Sequence, residues 1–221
     1  MIRHIFFDND GTIVDSEILA VRSMLRRLAP YGFQMDEAAY ARRFPGLLER
    51  DILKIIEEEY QITVADDFIS RLHEDHVELF DRYLQAIPGM DTLLRTLQTP
   101  KSMVSNGSVE HVERCLERIG LRNDFDGLIF SAHQVARPKP YPDVYRHALN
   151  VTQRLPEEGI VVEDSPTGVA AAVAAGMAVV GFLGAAHISD GHADALKMAG
   201  ARYIAADAEE LRSLLSSLNI E

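Results

Sequence analysis

The sequence predicts an α/β fold built on a parallel sheet, with a helical domain inserted after the first strand. Three observations predict it. His4-Ile5-Phe6-Phe7 is a short apolar run ended by Asp8, which reads as a buried strand. Helical spacing then holds from Ser16 to about Gln85. Beyond Pro88-Gly89, short apolar runs alternate with helical stretches, the grammar of βαβ units.

The elements follow in chain order. Ile18, Val21, Leu25 and Leu28 fall on one helical face, with Ser16 as the expected N-cap. Leu53, Ile56 and the stretch from Ala65 to Leu84 continue that spacing. Pro30-Tyr31-Gly32 and Phe44-Pro45-Gly46 break it. A helix near Met90 to Leu97 then leads to a strand at Met103-Val104-Ser105. A helix from Ser108 to Ile119 leads to Leu128-Ile129-Phe130. Pro142 to Leu149 leads to Ile160-Val161-Val162, and Pro166 to Ala175 leads to Val179-Val180-Gly181-Phe182. Strands this short, without alternation, are expected to be covered on both faces.

Composition narrows the function classes. The chain has 221 residues, 47% hydrophobic and 25% charged, with a net charge of −12. Such an acidic surface repels nucleic acid and anionic lipid, so neither is expected as a partner. It repels phosphorylated compounds too, so a phosphate site must be built from local cations. Cys115 is the single cysteine and excludes an intramolecular disulfide. No signal peptide or membrane span is legible, and a cytoplasmic location is expected.

Polar residues gather where strands end. Asp8-Asn9-Asp10-Gly11-Thr12, Ser105-Asn106-Gly107, Lys139 and Glu163-Asp164 lie at four such places. Ligands of parallel α/β sheets bind beyond the carboxyl ends of strands, so the four are expected to converge. Several carboxylates in one crevice raise one another's pKa, and a hard cation such as Mg²⁺ relieves this. With one Lys, one hydroxyl and a glycine turn, the set suits phosphoryl transfer. Of Asp8 and Asp10, one would attack phosphorus and the other would serve as acid and base.

These residues resemble the haloacid dehalogenase superfamily, in its phosphatase and phosphomutase branch. Asp8-Asn9-Asp10-Gly11-Thr12 is similar to its first motif and Ser105-Asn106 to its second. Arg137-Pro138-Lys139-Pro140-Tyr141-Pro142-Asp143 is similar to the third, and Glu163-Asp164-Ser165 to the fourth. The resemblance implies a Rossmann-like three-layer core with strand order 5-4-1-2-3, spanning 1–15 and 86–221, and a small helical cap over 16–85. It implies Asp8 as nucleophile and Mg²⁺ ligand, and Asp10 as acid/base that also lends its carbonyl to the metal. Ser105 and Lys139 would hold the phosphoryl group. Asp164 would be a metal ligand, with Glu163 beside it. Asn106, Glu17 at the hinge and Gly46 in the cap loop are candidate substrate contacts. Asn9 departs from the family, which usually has an apolar residue there. The segment Gly181 to Ala201, with Gly184-Ala185-Ala186-His187 and His192-Ala193 inside it, is similar to a tail of some bacterial members, and its 184–193 part has no assigned chemistry.

Plainer readings exist for each piece. Asp10-Gly11 is also a turn signal, and Ser105-Asn106-Gly107 and Asp164-Ser165-Pro166 suit helix starts. His73 and His76, like His187 and His192, form pairs that no Cys or further His completes in sequence, so surface or core places are expected. Tyr31, Phe33, Tyr40 and Phe44 are expected in the core of the cap. The reading that survives is a phosphatase of small phosphorylated metabolites, sugar or sugar-acid phosphates foremost, acting as a monomer. A phosphosugar mutase is the alternative, disfavoured because no His lies between Asp15 and Lys54. A dehalogenase would lack Asp10, and a receiver domain would lack the insertion.

Overall fold

The computed structural model describes residues 1–44, 47, 49–125 and 128–220. In chain order, β1 (His4–Phe7) precedes four helices: α1 (Glu17–Leu28), α2 (Glu37–Arg43), α3 (Glu49–Tyr60) and α4 (Phe68–Tyr83). Then come α5 (Met90–Thr96), β2 (Lys101–Ser105), α6 (Val109–Arg118), β3 (Ile129–Ser131) and α7 (Asp143–Thr152). The chain continues through β4 (Gly159–Glu163), α8 (Pro166–Ala174), β5 (Ala178–Phe182), α9 (His192–Ala199), β6 (Tyr203–Ala205) and α10 (Ala208–Ser217). It divides into two compact units, 1–15 with 85–221 and 16–84.

The first unit is a parallel six-stranded sheet in the order β3-β2-β1-β4-β5-β6. Read from the other edge, this is the expected five-strand order with one strand added. β6 escapes sequence reading because it has three residues, two of them only half-buried, at the sheet edge. α9 and α10 lie in the tail for which no helix was expected. β1 is buried throughout, as an apolar run between two helical layers must be. Phe6, Val104, Phe130, Val144, Tyr145, Val161 and Val169 pack one face into a continuous core.

Register positions the rim. Phe7 lies opposite Met103 on one side and Val162 on the other, so Asp8 stands level with Val104 and Glu163. The Asp8 amide donates to the Val162 carbonyl at 3.0 Å. β1 is central, with connections leaving on both sides, which makes its carboxyl end a topological switch point.

The second unit is helical. Met24, Leu28, Phe33, Tyr40, Phe44, Ile52, Leu53, Ile56, Phe68 and Leu72 form its core, with Tyr31 packed against them. Phe33, Tyr40 and Phe44 therefore fill its interior, with Tyr31 against them, while Tyr60 and Tyr83 are exposed. Ser16 occupies the N-cap position of α1 without a side-chain capping bond, because its own backbone is already helical. Asp36 caps α2 instead, accepting from the Ala39 amide at 2.8 Å. Among the described residues no helix is long and apolar enough to cross a membrane.

Candidate active site

Lys139 is the centre of the rim. It is 5% exposed, and its ammonium donates to Asp8 Oδ1 (2.7 Å), Glu163 Oε1 (2.7 Å) and the Val104 carbonyl (2.8 Å). An ammonium has three donors, and all three are used. The loop before α7 is fixed by Asn106, whose Oδ1 accepts from the Lys139 amide (2.9 Å) and whose Nδ2 donates to its carbonyl (3.4 Å). Asn106, expected as a substrate contact, thus spends both ends of its amide on holding Lys139. The Lys139 Nζ also lies 5.1 Å from the Tyr145 ring centroid, and Tyr145 Oη donates to Glu163 Oε1 at 3.4 Å. Sequence reasoning missed Tyr145, which looks like any core aromatic at its helical spacing.

Glu163 is fully buried. One oxygen faces Lys139, and the other accepts from the Ser165 amide (3.0 Å) and hydroxyl (2.9 Å). Its carboxylate can join those of Asp8 and Asp164 in a group able to hold an ion. Both oxygens also have protein donors, which tie the carboxylate to Lys139 and Ser165. Ser165 at the same time caps α8 through the Gly168 amide (3.0 Å), with Pro166 in the first turn. A Cβ on Gly168 would stand 1.6 Å from Glu163 Oε1. Gly168 is therefore part of the site, and the signal was a glycine in an otherwise alanine-rich helix.

Asp164 receives Thr12 Oγ1 at 3.3 Å. Gly11 lies so close that a Cβ would meet Asp164 Oδ2 at 2.0 Å, and its φ of +77° suits glycine. Two histidines approach the same residue. His187 Nε2 lies 3.4 Å from Asp164 Oδ2, and His192 Nε2 lies 2.5 Å from the Asp164 carbonyl. Neither was expected at the rim; their tail has no periodicity that would have brought them there. Ser105 is 2% exposed, and its hydroxyl accepts from the Gly107 amide at 2.9 Å. Asp10 is half-buried, with Oδ1 3.2 Å from His111 Nε2. Asn9 is buried and donates to Cys115 Sγ at 3.3 Å. Glu17 opens α1 in the other compact unit, and Gly46 lies outside the described residues.

The electrostatics explain what the rim wants. Burial raises the Asp8 carboxyl well above its ordinary range, and the charges of Glu163 and Asp164 add to this; Lys139 opposes them. Burial works against the Lys139 charge, but Asp8 and Glu163 outweigh it and hold the ammonium protonated. Three carboxylates around one ammonium leave an excess of two negative charges, which one divalent cation neutralises. Oxygen donors alone suit a hard ion of the Mg²⁺ kind.

Comparison with known proteins agrees with this chemistry. The family model for haloacid dehalogenase-like hydrolases matches residues 5–182. A 6-phosphogluconate phosphatase of Escherichia coli is 31% identical, over 84% of this chain and 85% of its own. A phosphorylated carbohydrates phosphatase of Thermotoga maritima is 33% identical, over 78% and 81%. The crystal structure of a hydrolase of this family from Deinococcus radiodurans, with bound phosphate and sodium, is 29% identical with a TM-score of 0.91, over 99% and 96%. Four polar clusters joined at one sheet end, and a match across most of the sequence, lead to one conclusion: the chain belongs to the haloacid dehalogenase-like hydrolases and is a phosphoric monoester hydrolase.

Proposed function

We propose that the chain is a Mg²⁺-dependent phosphatase of small phosphorylated metabolites, sugar or sugar-acid phosphates foremost, that works through a phospho-aspartate on Asp8. The observation that carries this is the buried Lys139 ammonium held between Asp8 and Glu163 at the sheet end. Lys139 fixes Oδ1 of Asp8, which leaves the other oxygen to attack phosphorus in line. The bond from phosphorus to the leaving oxygen breaks as the new bond forms, and the Asp10 carboxyl gives the departing alkoxide its proton. In the second half Asp10, now a carboxylate, takes a proton from water. The resulting hydroxide oxygen bonds to phosphorus, and the acyl phosphate opens to inorganic phosphate and free Asp8. Ser105 donates its hydroxyl to the phosphoryl oxygens, and Lys139 offsets the charge that spreads over them.

Asp8, Asp164 and the Asp10 carbonyl would hold Mg²⁺, which when bound supplies charge neutralisation at the transferring group. Glu163 and Asn106 keep Lys139 in place. The helical unit 16–84 serves as the cap that selects the substrate, with Glu17 and Gly46 as its candidate contacts. The substrate class rests on the two phosphatases of carbohydrate and sugar-acid phosphates among the relatives. Absence of long apolar helices among the described residues, the lone cysteine and the acidic charge support a cytoplasmic place.

The test is a phosphate-release screen over metabolite phosphates with Mg²⁺, run beside Asp8→Asn. Release from sugar or sugar-acid phosphates is expected, with none from the variant. Near-normal release by Asp8→Asn would sink the mechanism. Isomer formation without free phosphate would replace the phosphatase reading by a mutase.

A further inference from the structure

Three residues that the proposed reaction leaves unexplained lie together. Asn9 is fully buried, Cys115 is the single cysteine, and His111 reaches the rim from α6. His111 and Cys115 are four residues apart, so both project from the same face of that helix. The His111 Nε2 lies 3.2 Å from Asp10 Oδ1 and 3.6 Å from Cys115 Sγ. The three ligand atoms lie within 4.8 Å of one another. Ser108 caps α6 by accepting from the His111 amide at 3.2 Å, which fixes that first turn. A Cβ on Gly107 would stand 2.9 Å from His111 Cδ2, so the ring lies tight against that glycine.

We propose that Asp10, His111 and Cys115 form a second metal site, selective for a borderline-soft dication of the zinc type, whose occupation silences the enzyme by taking the Asp10 carboxylate. The donor chemistry separates it from the Asp8–Asp164 site: a thiolate and an imidazole suit zinc, whereas Mg²⁺ keeps to oxygen. The spacing fits. Zinc bonds of about 2.0–2.1 Å to nitrogen, 2.3 Å to sulfur and 2.0–2.2 Å to oxygen at tetrahedral angles set N···O at about 3.3 Å and N···S at about 3.5 Å. Three protein ligands leave the fourth position to water. Asn9 supports the sulfur, because its amide donates to Cys115 Sγ, the kind of outer hydrogen bond that steadies a ligating atom. Binding a metal ion there would release protons from the ligands to solvent.

Binding rests on geometry alone, whereas silencing rests on the proposed acid/base role of Asp10, and the experiment separates the two. Enzyme saturated with Mg²⁺ is titrated with Co²⁺ as a spectroscopic substitute for zinc. A thiolate-to-cobalt charge-transfer band in the near ultraviolet is expected, complete at one equivalent, bleached by Zn²⁺ and missing from both Cys115→Ala and His111→Ala. Phosphate release is expected to fall with the same occupancy and to resist added Mg²⁺. Cys115→Ala, folded by circular dichroism, should need more zinc for the same loss than the roughly 10–100-fold increase that removal of an outer hydrogen bond brings. No thiolate band in the wild-type enzyme overturns the site. So does inhibition that Mg²⁺ relieves and that Cys115→Ala leaves unchanged, because zinc would then sit among the oxygens of Asp8 and Asp164. A full band with undiminished turnover keeps the site and overturns the role given to Asp10.

Discussion

At the carboxyl end of the sheet, Asp8, Lys139, Glu163 and Asp164 are all under 10% exposed and grouped in one place. In the helical unit, charged residues lie outside, in pairs such as Arg22–Glu37, Arg26–Glu78 and Arg71–Asp67 that are about half-exposed. Arg27–Asp75 is the partly buried case there. The same functional groups therefore have opposite energetic meanings. Exposed pairs gain little because water screens them, so the helical unit is held by its apolar core. Buried charges cost desolvation that their attraction barely offsets, so a rim built of them lowers stability in exchange for chemistry.

The largest expected effect breaks the rim at its centre. Lys139→Met leaves two buried carboxylates without their cation. Stability should drop by about 3–5 kcal/mol, read from urea midpoints at constant slope, and phosphate release should vanish. Adding Glu163→Gln should restore part of the stability and none of the turnover. A loss below about 1 kcal/mol in the single variant would erase the contrast between the two regions.

Gly168→Ala comes next. In an exposed helix this change should stabilise by up to about 1 kcal/mol. Here the new Cβ meets the Glu163 carboxylate, so the sign reverses. A loss toward the upper end of about 1–3 kcal/mol is expected in thermal unfolding, and lower turnover with it, because Glu163 can no longer hold Lys139. Stabilisation by this substitution would show that Glu163 moves at little cost.

These effects bear on what was legible in the chain. Asp8, Asp10, Ser105 and Asp164 could be read because they follow short apolar runs whose ends a parallel sheet brings together, and Lys139 because prolines flank it just ahead of a helix. Five strands could be read as those runs, whereas their order came only from the family resemblance. β6 could not, because three edge residues, two of them half-buried, leave no pattern. Tyr145 and Gly168 act through contacts made across the fold, and neither residue type announces that. His111 and Cys115 carry a helical i, i+4 spacing that was visible in α6, yet their third partner, Asp10, lies 101 residues away from His111 in sequence. His187 and His192 meet Asp164 from a segment with no periodicity at all.

A buried group outside the rim gives a middle-sized test. His4 on β1 is 2% exposed, with Nε2 2.7 Å from Ser102 Oγ. Burial, with a smaller push from Arg154, lowers its pKa to about 4. The unfolded chain therefore binds this proton first. The stability due to neutral His4 is present above about pH 6.5 and is lost as pH falls toward 4. Roughly 2 kcal/mol should disappear between pH 7 and pH 5, and His4→Gln should flatten that slope in urea titrations. An unchanged slope in the variant would assign the acid lability to the rim carboxylates instead.

The smallest expected effect lies in the helical unit. Arg71 donates to Asp67 Oδ2 at 2.6 Å, one turn apart at the start of α4, with side chains 58% and 48% exposed. The acid precedes the base, the better orientation along a helix, yet water surrounds both. Leu72, the next residue, is buried in the core and holds the same turn in place. Arg71→Gln should therefore change stability by no more than about 0.5 kcal/mol at low salt, and the difference should fade in 1 M salt, where the screening length is about 3 Å. A loss above about 1 kcal/mol that 1 M salt abolishes would mean that the Arg71 charge stabilises the helix well beyond what an exposed pair supplies. Surface ion pairs of this unit would then contribute to stability on the scale reserved here for the rim, and the division between a region held by apolar packing and a region built for chemistry would fail.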